Sequence, residues 1–266
     1  MTTDIREVAA AFDARANTYA GNDWHRRCAE RLVALCQLQP GQCVMDAGTG
    51  TGFAALAAAR VVGSDGRVCG VDISAGMLRE ARAAVRASGH AHIELVESDA
   101  VHLPQYGTGT FDAVTCAAGL LYMPVAEALR EWYRLVKPGR LVAFSTMKAG
   151  SPPGGRIFRD CAATFGVSLP DPSEALGSVS ACRRALEAAG FEVVDIVSET
   201  IEFSSQDLTL AWESNVRSTG HAEVQRLSAQ EHGALKDAYL NALAREEQEH
   251  PGALGQADIL YALGRR

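Results

Sequence analysis

Asp46, Asp72 and Asp99 each stand at or just past the end of a short apolar run. Asp46 leads into Ala47-Gly48-Thr49-Gly50-Thr51-Gly52, with glycine at alternate positions. Glycine there lets the main chain turn tightly and lets a ligand lie almost against the backbone. A carboxylate can accept both hydroxyl protons of a ribose, and Asp72 is spaced for that role, 20 residues after Gly52. Asp99 can accept from the amino group of an adenine, and the backbone amide of Ala100 or Val101 can serve a ring nitrogen. Ile73 and Met77 can sandwich the purine face. The chemistry implied is capture of a nucleoside-like ligand. Two phosphate-binding loops fail on spacing. The dinucleotide fingerprint needs glycine three positions after its second glycine, where Phe53 stands. A P-loop needs Gly-Lys-Ser/Thr, which is absent.

Elements that could hold these residues alternate along the chain. Strands are expected at 42–46, 67–72, 92–97, 111–117, 139–146, 190–201 and 257–264, with helices between them. That alternation predicts an α/β, doubly wound sheet covered on both faces. Such sheets bind ligands beyond the carboxyl ends of their strands, where strand order reverses. Asp46 and the glycine loop end the first strand, Asp72 the second, Ser98-Asp99-Ala100 the third and Cys116 to Gly119 the fourth. Ser74 reads as the N-cap of a helix over 75–87 closed by Gly89, and Gly190 closes a helix over 180–189. Lys137-Pro138-Gly139 reads as a turn before the fifth strand, and Gly150 to Gly155 as a flexible loop. Residues 1–38 read as two helices, with Val8, Phe12 and Tyr19 on one face. The stretch 204–254 is too long for a simple connection and is expected to form a helical cap. The resulting organisation is an N-terminal segment closing the site (1–38), a core (39–203), a cap insertion (204–255) and a final core strand (256–266).

Composition narrows the partners. The chain has 266 residues, 47% of them hydrophobic, enough for a sizeable core. A net charge of −7 argues against nucleic acid as a partner. No apolar run reaches the length of about 18 residues that a membrane span needs, and the first residues lack a signal-peptide core. Seven cysteines show neither Cys-x-x-Cys pairs nor zinc spacing, so reduced thiols, no metal and a cytoplasmic location are expected.

VMDAGTGTG (44–52), VDIS (71–74), ESDAVHLP (97–104), FDAVTCAAGLLYM (111–123) and RLVKPGRLV (134–142) follow one another in a set order. On these motifs, over about 35–150, the chain resembles the class I methyltransferases that use S-adenosylmethionine. Within them it is similar to the ubiquinone/menaquinone-biosynthesis branch, and AFDARANTYAG (11–21) resembles the segment preceding the loop there. The resemblance implies a Rossmann-like, mostly parallel sheet of seven strands, the last antiparallel and folded back beside 190–201. It implies S-adenosylmethionine as cofactor and S-adenosylhomocysteine as product. Asp46, Ala47, Gly48, Thr49 and Gly50 would approach the methionine and ribose parts, with Asp46 mainly organising the loop. Cys116 would be an apolar filler whose backbone borders the methionine. Two departures stand out. Leu120-Leu121-Tyr122 replaces a frequent aromatic or histidine pair, which bears on the substrate pocket, and Arg140 follows Pro138-Gly139 where a second glycine is usual.

In related enzymes the N-terminal segment closes over the cofactor, which would bring Tyr19 to the methionine end or the acceptor. His25 is a candidate base near neutral pH. A core aromatic and a surface histidine are the plainer alternatives. Leu208, Trp212, Asn215 and Thr219 share a helical face suited to a pocket wall, with a plain packing face as the alternative; Arg217 and His221 are nearby, and Tyr122 borders the same end of the sheet. The expected function is methyl transfer to an O, N or C nucleophile of a small natural-product-like molecule. The alternatives are a quinone-precursor C-methyltransferase and a non-catalytic S-adenosylmethionine-binding scaffold. Homo-oligomerisation stays open.

Overall fold

Alternating side chains along each strand build two cores at once, as a period of two requires. Val44 packs on one face of the sheet with Ile259, Tyr261 and Leu263, while Met45 and Ala47 pack on the other with Leu260 and Ala262. A computed structural model describes residues 5–19, 21, 23–204, 211–218 and 220–266. Its strands are β1 (Cys43–Ala47), β2 (Arg67–Asp72), β3 (Ile93–Glu97), β4 (Phe111–Ala117), β5 (Val136–Met147), β6 (Glu192–Glu202) and β7 (Gln256–Arg265). They form one seven-stranded sheet in the order β3-β2-β1-β4-β5-β7-β6. β7 runs antiparallel to both β5 and β6, and the pairings among β1 to β5 are parallel. The expected fold class is therefore present, with the last strand inserted between the fifth and sixth. The order reverses between β1 and β4, which opens a crevice at their carboxyl ends.

The helices are α1 (Ile5–Asp13), α2 (Ala16–Tyr19), α3 (Asp23–Leu35), α4 (Phe53–Val62), α5 (Ala75–Ser88), α6 (Val125–Leu135), α7 (Pro153–Thr164), α8 (Val179–Ala188), α9 (Ala211–Val216) and α10 (Ala229–Glu249). α3 and α4 cover one face through Leu32, Val33 and the alanines of α4; Trp132 of α6 and Leu186 of α8 cover the other. Ser74 caps α5, accepting from Met77 N, and Gly89 closes it at φ +74°. A third cluster, from Phe158 and Ile157 of α7 to Leu235 and Tyr239 of α10, lies outside these two cores.

Two local expectations are corrected. The Lys137-Pro138-Gly139 turn is a bulge inside β5: pairing steps from Phe111↔Val136 to Ala113↔Leu141. Gly139 sits at φ +75°, and its N–H donates to Arg266 O at 2.8 Å. The Gly150–Gly155 stretch is not all loop, because Pro153 opens α7. Proline fits the first helical turn, where the missing N–H would have had no partner.

Candidate functional site

The glycine loop is held by two carboxylates below it. Asp46 is buried at the end of β1, where it accepts from Thr49 Oγ1 at 2.7 Å and Thr115 Oγ1 at 3.1 Å. Burial pushes its pKa up to about 6, against the pull of those hydroxyls. Asp72 accepts from Gly50 N at 2.7 Å and Ser74 N at 2.9 Å, so it ties the loop to the start of α5. Burial also raises the Asp72 pKa, opposed by its backbone hydrogen bonds. Gly48 and Gly50 take φ +67° and +55°, a region that favours glycine. A Cβ on Gly48 would lie 3.1 Å from Met123 Cε.

β3 pairs with β2 in the register Asp72↔Glu97, which sets the Ser98-Asp99-Ala100 turn beside the end of β2. Met77 and Ala100 are buried; Ile73, Asp99 and Val101 are half-buried along the same strand ends. The Val101 amide is taken by the Asp99 carboxylate at 2.9 Å. Cys116 is fully buried, its thiol pKa raised by that burial, and a Cβ on Gly119 would meet its Sγ at 3.0 Å. It fills space under the crevice.

The N-terminal helices lie over the loop. Asp13 Oδ1 accepts from Ser74 Oγ at 2.6 Å and Gly76 N at 2.8 Å, which pins α1 to the start of α5. Beyond it Tyr19, His25 and Trp24 form a stack, with ring centroids 4.4 Å and 3.7 Å apart. Phe12 meets Tyr122 edge-on at 5.2 Å. Burial, reinforced by the Arg15 charge, depresses the His25 pKa to about 3, so this imidazole is neutral at neutral pH. Burial raises the Tyr19 hydroxyl above its ordinary range.

Two cavities meet here. A small one, about 30 Å³, lies on the glycine loop between Asp46, Gly48, Thr49, Gly50 and the rings of Tyr19 and His25. Its wall includes Thr51, and Thr51 Oγ1 and His25 Nδ1 are buried without a hydrogen-bond partner. A large one, about 810 Å³, extends under α7, α9 and α10 and is lined by Tyr122, Asn215, Arg217 and His221. Tyr19, His25 and Ala118 belong to both walls. Ala118 holds φ +52°, unusual for a residue with a side chain, and its N–H donates to Ser145 Oγ at 3.0 Å. Ser145 in turn accepts from Cys28 Sγ at 3.3 Å, linking α3 to β5.

Trp212 is placed elsewhere. Its ring packs on Phe158 and Tyr239, at 5.6 Å and 5.8 Å, in the third cluster rather than on the cavity wall. Leu208 and Thr219 lie outside the described residues. Asp13, Ala118, Ser145 and Tyr239 were not singled out from the sequence. Asp13 sits inside the 11–21 segment that carried the resemblance, a usable signal; Tyr239 has none, since only the packing of α10 on α7 brings it to the cavity.

The buried, partnerless Thr51 hydroxyl and His25 nitrogen beside bare glycine backbone suit the charged head of a methionine. Asp72 is tied to this loop through Gly50 N, but neither Asp72 nor Asp99 lines either cavity. Comparison with known proteins agrees. The sequence profile of the methyltransferase-domain family matches residues 44–139. Aklanonic acid methyltransferase DauC of Streptomyces sp. (strain C5) is 33% identical over 153 residues, 56% of this chain and 69% of that protein. Demethylmenaquinone methyltransferase of Listeria welshimeri is 30% identical over 156 residues, 58% of this chain, and the match spans 65% of that protein's length. A solved SAM-dependent methyltransferase from Aquifex aeolicus superimposes with a TM-score of 0.51 at 26% identity, covering 64% of this chain and 82% of its own. Motifs, strand order and site geometry thus converge with these likenesses, and the chain belongs to the class I S-adenosylmethionine-dependent methyltransferases.

Proposed function

We propose that this chain transfers a methyl group from S-adenosylmethionine to an O, N or C nucleophile of a small, natural-product-like molecule. The observation that carries the reading is the shared wall: Tyr19, His25 and Ala118 border both the small cavity on the glycine loop and the large capped one. When bound, the cofactor supplies an electrophilic methyl on a sulfonium. Asp72 and Asp99 would hold its ribose and adenine, and the loop backbone with Thr51 its methionine head. Tyr19 and Trp24 exclude water from the junction. Neither His25, with its pKa near 3, nor Tyr19, with its pKa raised, is poised to take a proton at neutral pH. Their role is to hold an acceptor in line, and positioning of that kind can supply about 7–11 kcal/mol of a barrier.

The polar groups of 213–221 favour a natural-product acceptor over the wholly apolar tail of a quinone precursor, the second reading. Among the described residues no helix is long and apolar enough to cross a membrane and the seven cysteines are free thiols, which supports a cytoplasmic site of action. Calorimetry with S-adenosylhomocysteine tests the proposal. The wild type is expected to bind, and Asp72→Ala to bind about ten- to a hundredfold more weakly, since hydrogen bonds to a charged group contribute roughly 1.5–3 kcal/mol. A wild type that binds neither form of the cofactor ends the reading. Binding without homocysteine production from any acceptor would identify a scaffold.

A further inference from the structure

The deep end of the large cavity carries a fixed hydrogen-bonding edge. Asn215 Nδ2 donates to the Ala211 carbonyl at 2.9 Å and to the Tyr239 hydroxyl at 3.3 Å. A carbonyl can only accept, so the amide orientation is set and Asn215 Oδ1 is left over. That oxygen stands 3.8 Å from where a Cβ on Gly155 would be, beside a stretch of bare backbone lining the cavity. Tyr239, 1% exposed, accepts from Asn215 and so keeps its own proton to give. His221, 4% exposed, donates from Nδ1 to the Asn215 main-chain oxygen at 2.7 Å. That bond fixes the tautomer and leaves Nε2 as an acceptor on a ring that lines the cavity. Burial, with the charges of Arg159 and Arg15, lowers the imidazole pKa against the opposing pull of the Asn215 carbonyl. Most charges on the wall are engaged within the chain: Arg159 with Asp171 at 2.9 Å, Arg217 with Glu213 at 3.5 Å, Arg15 over the Phe12 ring at 4.1 Å, and Glu247, which accepts from Gly252 N at 2.8 Å. Trp24, Tyr122 and Phe203 supply aromatic surface to the same cavity.

We infer that Asn215, Tyr239 and His221 form a specificity edge for a neutral aromatic acceptor that carries a hydroxyl and a carbonyl on one side. Tyr239 gives its proton to the carbonyl, and His221 Nε2, with Asn215 Oδ1 alongside, accepts from the hydroxyl. The inference rests on the methyl-transfer reading and adds the chemical class of the acceptor. Each neutral hydrogen bond gained in this way is worth about threefold to tenfold in affinity.

The test is titration, followed by NMR, of protein saturated with S-adenosylhomocysteine, using meta-hydroxyacetophenone, acetophenone and phenol as probes. The wild type is expected to bind the first about threefold to tenfold more tightly than either of the others. Tyr239→Phe is expected to erase the advantage over phenol and keep that over acetophenone; His221→Phe is expected to do the reverse. Equal affinities in the wild type, no binding of any probe, or an advantage that survives both substitutions overturns the assignment. The wild-type comparison decides the matter even where a variant does not fold. Failure to saturate with S-adenosylhomocysteine strikes the methyltransferase reading, whereas saturation with equal probe affinities strikes only the edge.

Discussion

His25 shows how one buried ring sets a pH dependence. Its folded pKa lies near 3, against about 6.5 in an unfolded chain. Between those values the unfolded state binds the extra proton. The stability present above about pH 6.5 is therefore lost as pH falls toward 3. Asp46 acts in the opposite sense, because its buried carboxyl keeps a proton up to about pH 6 and releases it on unfolding. The informative comparison is thus between proteins, not within one. His25→Phe is expected to lose less stability than the wild type between pH 7 and about 5, read from urea midpoints; identical curves would mean the ring is not desolvated. Gly48→Ala is a second residue-scale case. Its φ of +67° and the 3.1 Å approach of a Cβ to Met123 Cε predict a strained loop that has lost affinity for S-adenosylhomocysteine, measurable by calorimetry. The strand-end carboxylates were legible as a set: the glycine loop after Asp46 is by itself only a tight turn, and Asp72 and Asp99 at the ends of the next two apolar runs give it a nucleoside to hold. The two readings of the 208–219 face divide between its residues: Asn215 lines the large cavity, whereas Trp212 takes the packing alternative, because α9 packs against α7 and α10 and the indole finds Phe158 and Tyr239 first.

Elements were legible where a strand or helix carries its own stop signal. Ser74 and Gly89 bracket α5 within one residue of the expected bounds. The bulge in β5 was hidden because Lys137-Pro138-Gly139 is also good turn chemistry; the Arg266 main chain pairs across it and keeps the strand running. The tie from Asp13 to α5 is long-range, so its only signal in the sequence is the resemblance of the 11–21 segment, which does not name its partner. It joins elements about 60 residues apart, through Ser74 Oγ and Gly76 N. Removing it with Asp13→Ala is expected to cost about 0.5–2 kcal/mol, the usual worth of a helix cap, and to loosen the N-terminal segment. Thermal melting measures the first effect and limited proteolysis near Arg15 the second. An unchanged cleavage pattern would show that α1 is held by its apolar face alone.

At the scale of the whole molecule, the third cluster is separate from the two that sandwich the sheet. Phe158 sits at its centre, against Trp212, His221 and Tyr239. Phe158→Ala is expected to destabilise this cluster by about 3–5 kcal/mol, while S-adenosylhomocysteine still binds at the sheet. Hydrogen exchange would show protection lost in α10 and kept in β1 and β4; uniform loss would mean that cap and sheet unfold as one. The strand order itself was legible only through the family resemblance, since alternation alone does not say where a seventh strand goes.

That seventh strand has a consequence for how the protein is made. Among the described residues β6 pairs only with β7, and the 53 residues from 203 to 255 separate the two. At roughly 5–20 residues per second on the ribosome, β6 emerges several seconds before its neighbour. For that interval the facing edges of β5 and β6 are bare, and a nascent chain carrying them is a natural client for whatever shields unpaired backbone until synthesis has passed Arg265.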